Sequence, residues 1–119
     1  MKIIRENIPS SLSREKKSLI RCIAAMCGAM PVRQVVLFGS HARGQARKDS
    51  DVDLCIVADG AGQQMAAAKN FRRAMREIRP KPAFSLIPIT PKRLEEKKKN
   101  GDHFFKTIAR EGICLAKED

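Results

Sequence analysis

Apolar residues recur at three- and four-residue steps between Ser10 and Ala29. Leu12, Leu19, Ile20, Ile23, Met26 and Cys27 fall on one side, and Arg14, Lys16, Lys17 and Arg21 fall largely on the other. This spacing predicts an amphipathic helix, capped by Ser10, Ser11 or Ser13 and ended by Gly28 and Pro31. Met1 to Pro9 ahead of it reads as an extended arm or short strand. The period then changes. Gln34 to Phe38 is an apolar run of buried-strand type, and Gly39-Ser40 starts a turn or short helix. Gln45 to Ser50 is a polar loop. Val52 to Val57 reads as a second strand, with Val52, Leu54 and Ile56 toward the helical layer. Asp59-Gly60-Ala61-Gly62 breaks the chain. Gln63 to Ile78 has helical spacing, with Met65, Ala68, Phe71, Ala74 or Met75, and Ile78 inward and Lys69, Arg72, Arg73 and Arg76 outward. Pro80 and Pro82 stop it, and a strand around Ser85 follows. Thr90-Pro91 suits a helix start, with Thr as cap and Pro in the first turn, and that helix runs from Lys92 to about Lys99. Asn100-Gly101 ends it. His103 to Glu111 forms a last helix with Phe104, Phe105 and Ile108 inward, closed by Gly112, and Ile113-Cys114-Leu115 is a final short strand.

The order helix, strand, strand, helix, strand, helix, helix predicts an α/β (α+β) protein. Its small mixed sheet carries helices packed mainly on one face and leaves the other face open. At 119 residues, positions 1–119 make a single domain. Five Phe with no Trp and no Tyr leave the core to aliphatic residues, Met and Phe, and supply base stacking poorly. The four cysteines, Cys22, Cys27, Cys55 and Cys114, lie in apolar runs without metal-ligand spacing and read as reduced core residues. The first residues lack the long apolar segment of a signal peptide, and no apolar run approaches a membrane span. The expectation is a cytoplasmic protein with no membrane partner. A net charge of +11 favours an anionic partner without choosing among nucleotide, nucleic acid and acidic protein; a solvated basic surface explains it equally well.

Chemistry concentrates between Val35 and Val57. An apolar strand runs into Gly39-Ser40, a basic loop follows, and the next strand opens with Asp51 and Asp53. Residues i and i+2 of a strand point the same way, so the two carboxylates share a face. Two like charges side by side are costly unless a cation sits between them. A hard divalent cation such as Mg²⁺ takes oxygen ligands, often one or two carboxylates together with substrate phosphates. Gly39 and Ser40 let a backbone approach a triphosphate closely. Plainer explanations stand beside each, since strands often begin with polar residues and Gly-Ser occurs in generic tight turns. Asp53 is the stronger metal candidate, because it lies inside the strand, where an unpaired carboxylate is costly. Ser40 lacks the Gly-x-Ser-x-Gly elbow of a hydrolase nucleophile. Arg43 either pairs with a phosphate or holds the loop through carboxylates. Ser50 contacts nucleotide or caps the strand, the structural role being favoured. His41 reads as a solvent-facing turn residue and His103 as an exposed first-turn residue. Arg47 and Lys48 flank the site and attract phosphate or an acidic partner. The run Lys92-Arg93 and Lys97-Lys98-Lys99 reads first as a solvated helix face and only second as a nucleic-acid patch.

Gly39-Ser40-His41-Ala42-Arg43-Gly44, followed by Ser50-Asp51-Val52-Asp53-Leu54, resembles the signature of the DNA polymerase β-type nucleotidyltransferase superfamily. The short length makes the chain similar to the minimal nucleotidyltransferases in particular. Pro82 to Thr90 looks like the family's third strand, and Phe105 to Leu115, with Arg110-Glu111-Gly112, like its closing helix and turn. The resemblance covers the chain from about Leu19 onward and is stronger before Gly60 than after it. It implies a nucleotidyltransferase fold, with Mg²⁺ or Mn²⁺ at Asp51 and Asp53. It also implies a nucleoside triphosphate whose β- and γ-phosphates lie on Gly39 and Ser40, with Arg43 and Ser50 nearby. The implied reaction moves a nucleoside monophosphate to an acceptor hydroxyl and releases pyrophosphate. Small members are often encoded with a helical HEPN-domain protein and act as antitoxins that nucleotidylate or sequester it, so such a partner and a homo-oligomer are implied too.

The chain departs from the pattern at one position. Active members usually take a third carboxylate from the later strand, and the best match here is Ser85. A hydroxyl can neither neutralise a second metal nor act as base, as a two-metal scheme needs. Beside the enzyme reading therefore stands a catalytically impaired nucleotide- or partner-binding protein of the same fold. A nucleic-acid-binding module driven by charge is a third reading, which predicts steeply salt-dependent binding.

Overall fold

The chain builds one mixed sheet of five strands in the order β1-β5-β2-β3-β4, in a computed structural model that describes residues 1–119. The chain runs β1 (Lys2–Ile3), 3-10 turns at Arg5–Asn7 and Ser10–Leu12, α1 (Lys16–Ala29), β2 (Val32–Phe38) and α2 (Gly39–Ala42). It continues through β3 (Val52–Ala58), α3 (Gln64–Ala74), β4 (Phe84–Ile89), α4 (Pro91–Lys99), α5 (His103–Glu111) and β5 (Ile113–Lys117). β3 is the pivot, antiparallel to β2 and parallel to β4. β5 lies antiparallel to both β2 and β1. This is the expected α+β sheet, with the last strand returning between the first two.

The larger core lies on one face, under α1 and α3. Leu19, Ile23 and Met26 of α1 and Ala67 and Phe71 of α3 meet Val35, Leu37, Val52, Leu54 and Ile56 of the central strands. The other face is not open throughout, as the sequence had suggested. Cys55, Val57 and Ile89 form a second cluster there with Phe105 and Ile108 of α5, and Leu94 of α4 packs against it. The reason is in β3 itself. Behind Asp53, the same side of the strand carries Cys55 and Val57, whose apolar surface must leave water. Only the end of that face bearing the two aspartates stays uncovered. Gly112, at the turn from α5 into β5, is required by space: a Cβ there would strike the Ile108 carbonyl and Val36.

Three local expectations are corrected. Ser10–Leu12 forms a 3-10 turn, and α1 starts only at Lys16 with no side-chain cap, so none of the three serines caps it. Met65 is 80% exposed, because α3 begins at Gln64 and its four-residue stripe is Ala67, Phe71 and Met75 instead. Phe104 is 44% exposed and stands edge-on to Phe38, centroids 5.7 Å apart, while Phe105 and Ile108 go inward. The caps of α4 and α5 are side chains, Thr90 Oγ1 accepting from Arg93 N at 3.1 Å and Asp102 Oδ1 from Phe105 N at 3.1 Å. The outer edge of β4 is tied down by α3: Gln64 Nε2 donates to Pro88 O at 2.8 Å and Arg72 Nη2 to Phe84 O at 3.2 Å.

The two large side chains of α3 therefore predict opposite outcomes. Phe71 is fully buried, so Phe71→Ala should cost about 3–5 kcal/mol in urea unfolding. Met65→Ala should stay within about 0.5 kcal/mol of the parent.

Candidate active site

β2 ends at Phe38, and the chain turns at Gly39 with φ of +77°, a conformation that L side chains rarely adopt. The turn is tight for a second reason: a Cβ on Gly39 would overlap the Asp53 carboxylate. Glycine thus lets the backbone at the start of α2 lie directly against the acid. Strand register completes the arrangement. Phe38 pairs with Asp53 across β2 and β3, and Asp53 pairs with Ser85 across β3 and β4. Directly opposed residues share a face, so Phe38, Asp53 and Ser85 form one row. Asp51 is exposed just before β3, and Asp53 is half-buried within it.

Asp53 is held above the ordinary carboxylate range, first by burial and then by the neighbouring charge of Asp51. His41, Arg43 and the Ser85 hydroxyl oppose the shift without cancelling it. An all-oxygen pair whose ionised forms disfavour each other fits a hard divalent cation, with the remaining ligand positions left to phosphate oxygens. No group of three or more His, Cys, Asp or Glu is placed to hold a metal ion, and Ser85 stands opposite Asp53 in the next strand.

His41 faces inward rather than to solvent. It is 5% exposed, with Nδ1 2.8 Å from Ser11 Oγ and Nε2 3.3 Å from the Ser50 carbonyl. A carbonyl only accepts, so Nε2–H donates to Ser50 O, and Nδ1 shares a hydrogen bond with the Ser11 hydroxyl, which can serve as donor or acceptor. One imidazole thereby ties the Ser10–Leu12 turn, α2 and the residue before Asp51 together. Sequence reading had no signal for this, because Ser11 lies 30 positions away. Ser50 has a structural role: its Oγ accepts from Arg47 N at 2.8 Å and closes the loop. Arg43 is exposed, 3.8 Å from Glu111 Oε2 and 3.5 Å from Gln45 Oε1. It is tied to α5 through a loose, exposed ion pair. Gly39, Ser40, Arg43, Asp51, Asp53 and Ser85 are thus gathered at one end of the sheet. A cleft lined by Phe38, Gly39, Arg43, His103, Phe104 and Glu111, among others, opens beside them. The cysteines stand apart as free thiols, and burial pushes Cys55 up to about 11, which leaves it protonated and inert near neutral pH.

The family model for the nucleotidyltransferase domain matches residues 19–109. Among solved structures, the chain is similar to a nucleotidyltransferase candidate from Sulfolobus solfataricus. The identity is 20% over 91% of this chain and 85% of that one, with a TM-score of 0.56. It is also similar to a chain in a crystal structure of a toxin-antitoxin with AMP-PNP, at 17% identity over 84% of this chain and 73% of that one, with a TM-score of 0.53. At such identities these likenesses speak for the fold alone. No curated protein matches the sequence.

Two substitutions test the site's construction. In the fold, the ionised form of Asp53 is disfavoured relative to the unfolded chain. The group therefore costs stability above its folded pKa and costs nothing below the ordinary value of 3.8. Asp53→Asn should accordingly melt higher than the parent at neutral pH in metal-free buffer, and the gap should close as the pH falls below that value. Gly39→Ala should lose about 1–2 kcal/mol from the left-handed backbone alone, and more from overlap with Asp53, measured by chemical unfolding.

Proposed function

Because the chain belongs to the nucleotidyltransferase-domain family, we propose that it binds a nucleoside triphosphate with Mg²⁺ or Mn²⁺ and transfers the nucleoside monophosphate to an acceptor hydroxyl. The observation that carries this reading is the Gly39 backbone lying against the Asp53 carboxylate, with Asp51 beside it. That contact brings a phosphate-cradling turn and an acid pair to one point. Asp51 and Asp53 would hold the cation. Backbone N–H groups at Gly39 and Ser40, with the Ser40 hydroxyl, would take the β- and γ-phosphates, and Arg43 would leave Glu111 for a phosphate oxygen. A divalent ion bound there supplies charge neutralisation for the phosphates and the leaving group. The acceptor oxygen bonds to the α-phosphorus, the bond to the pyrophosphate oxygen breaks, and the hydroxyl proton passes to solvent, since Ser85 is no base.

The acceptor in this proposal belongs to a partner protein. A HEPN-domain protein, in an antitoxin-like arrangement, is the partner the family resemblance implies. Similarity to a chain from a toxin-antitoxin crystallised with AMP-PNP supports both a nucleotide and a protein partner. A second reading has its own observation. Ser85 stands opposite Asp53 in register, so the chain as it stands would bind nucleotide or partner and transfer poorly.

Transfer from labelled ATP, GTP, CTP and UTP into a cell extract, with Mg²⁺ or Mn²⁺, separates the two. If the chain is an enzyme as it stands, label is transferred and Asp53→Asn lowers it by at least about 100-fold. Label moved only by Ser85→Asp assigns the present chain to binding. Absence of transfer from every form, with no nucleotide-dependent rise in melting temperature, rejects the nucleotide reading.

A further inference from the structure

Charge is unevenly spread over the fold. Residues 14–29 and 63–81, which contain α1 and α3, hold ten Lys or Arg against two acids, Glu15 and Glu77, a net of +8 out of +11. The rest of the chain, with fourteen cations and eleven acids, is nearly balanced. All ten cations are exposed. None forms an ion pair, because the pairs present use the N-terminus, Arg33, Arg43, Arg93, Lys97 and Arg110.

α1 and α3 pack side by side on the face of the sheet opposite the two aspartates. Their buried stripes turn Lys17 and Arg21 of α1, and Lys69 and Arg73 of α3, away from the sheet, and exposed Arg76 follows just past the end of α3. At one end Arg14 joins this layer to a polar cleft of about 510 Å³, which Arg47 and Lys48 also line. The basic run of α4 differs: Glu95, Glu96 and Asp102 interleave with it, and Arg93–Glu96 and Lys97–Asp102 are paired.

We infer that the outer layer of α1 and α3 binds the phosphate backbone of a polynucleotide. Unpaired like charges at this density repel each other until an anion neutralises them. A protein partner would need an apolar centre to its interface, and Met1, Met65 and Phe104 are the chain's exposed large hydrophobics, with Met65 alone on this layer. Interfaces with nucleic acid are far more positive and polar, as this layer is. It offers no exposed aromatic ring for stacking single-stranded bases, so the target is a duplex read through its backbone. α1, with 14 residues, is about 21 Å long and spans about six phosphates of one strand. The surface is independent of the transferase chemistry, because it faces away from Asp51 and Asp53.

Fluorescence anisotropy of the full chain with labelled RNA and DNA duplexes of one sequence, across a salt series, tests this. The plot of log affinity against log salt should fall with a slope of about −5. Arg73→Glu with Arg76→Glu should weaken binding by at least about 10-fold and flatten the slope by about 2, and the milder Arg73→Gln with Arg76→Gln by about half as much in the slope. Lys98→Glu with Lys99→Glu on α4, equal in charge change, should stay within about 3-fold. Melting curves confirm that each variant is folded. Three results would each overturn the inference: no binding to either duplex at about 50 mM salt, equal losses from the Arg73/Arg76 and Lys98/Lys99 pairs, or displacement by poly-glutamate as effective as by unlabelled duplex at equal charge.

Discussion

The register of β3 is the constraint from which the rest follows. This one strand pairs in opposite senses with its two neighbours and has work to do on both faces. Val52, Leu54 and Ile56 fill the main core, while Asp53, Cys55 and Val57 lie on the other side. A slip by one residue would exchange the two sets. It would drive a carboxylate into the space under α1 and α3, and would do so where no cation waits to receive it. The same register sets Phe38 and Ser85 on either side of Asp53, so packing and candidate chemistry are fixed by one pairing.

Much of this was legible beforehand, and the reason is locality. Strands announced themselves by short apolar runs, and Thr90-Pro91 and Gly112 marked element ends through residues that act on their own backbone. The facing of Asp53 away from the main core followed from alternation alone, and the Gly39-Ser40 turn from the backbone freedom of glycine. What escaped depended on distant partners. His41 looked like a turn residue because its hydroxyl partner is brought in by a 3-10 turn far upstream. Met65 and Phe104 were apolar at helical spacing, yet Met65 falls on the outward side of α3 and Phe104 at the edge of the α5 stripe. The covered part of the second face was hidden because α4 and α5 follow β4 in the chain but pack back across β3, a fact of topology rather than of pattern.

The site is built with tension and support in separate parts. Tension sits in the acid pair, where Asp51 and partial burial both resist ionisation of Asp53. Support comes from groups fixed by hydrogen bonds and space: the His41 ring bonded at both nitrogens, the Ser50 hydroxyl closing its loop, and the glycine that concedes space. Such a division lets a ligand relieve the tension without disturbing the scaffold. It also explains why the loop from Gln45 to Ser50 can be polar and exposed yet end in a fixed position before Asp51.

The sheet's two margins have a further consequence. Pro88 brings no N–H to the outer side of β4, and side chains of α3 already occupy the Phe84 and Pro88 carbonyls. Two of the three outward-facing residues of β4 thus have their carbonyls already taken. The opposite margin, β1, is two residues long. Both borders are poor templates for another strand, which guards the chain against edge-to-edge polymerisation and amyloid-like stacking. The borders thus favour assemblies made with helical faces, clefts and loops over a sheet continued across two molecules.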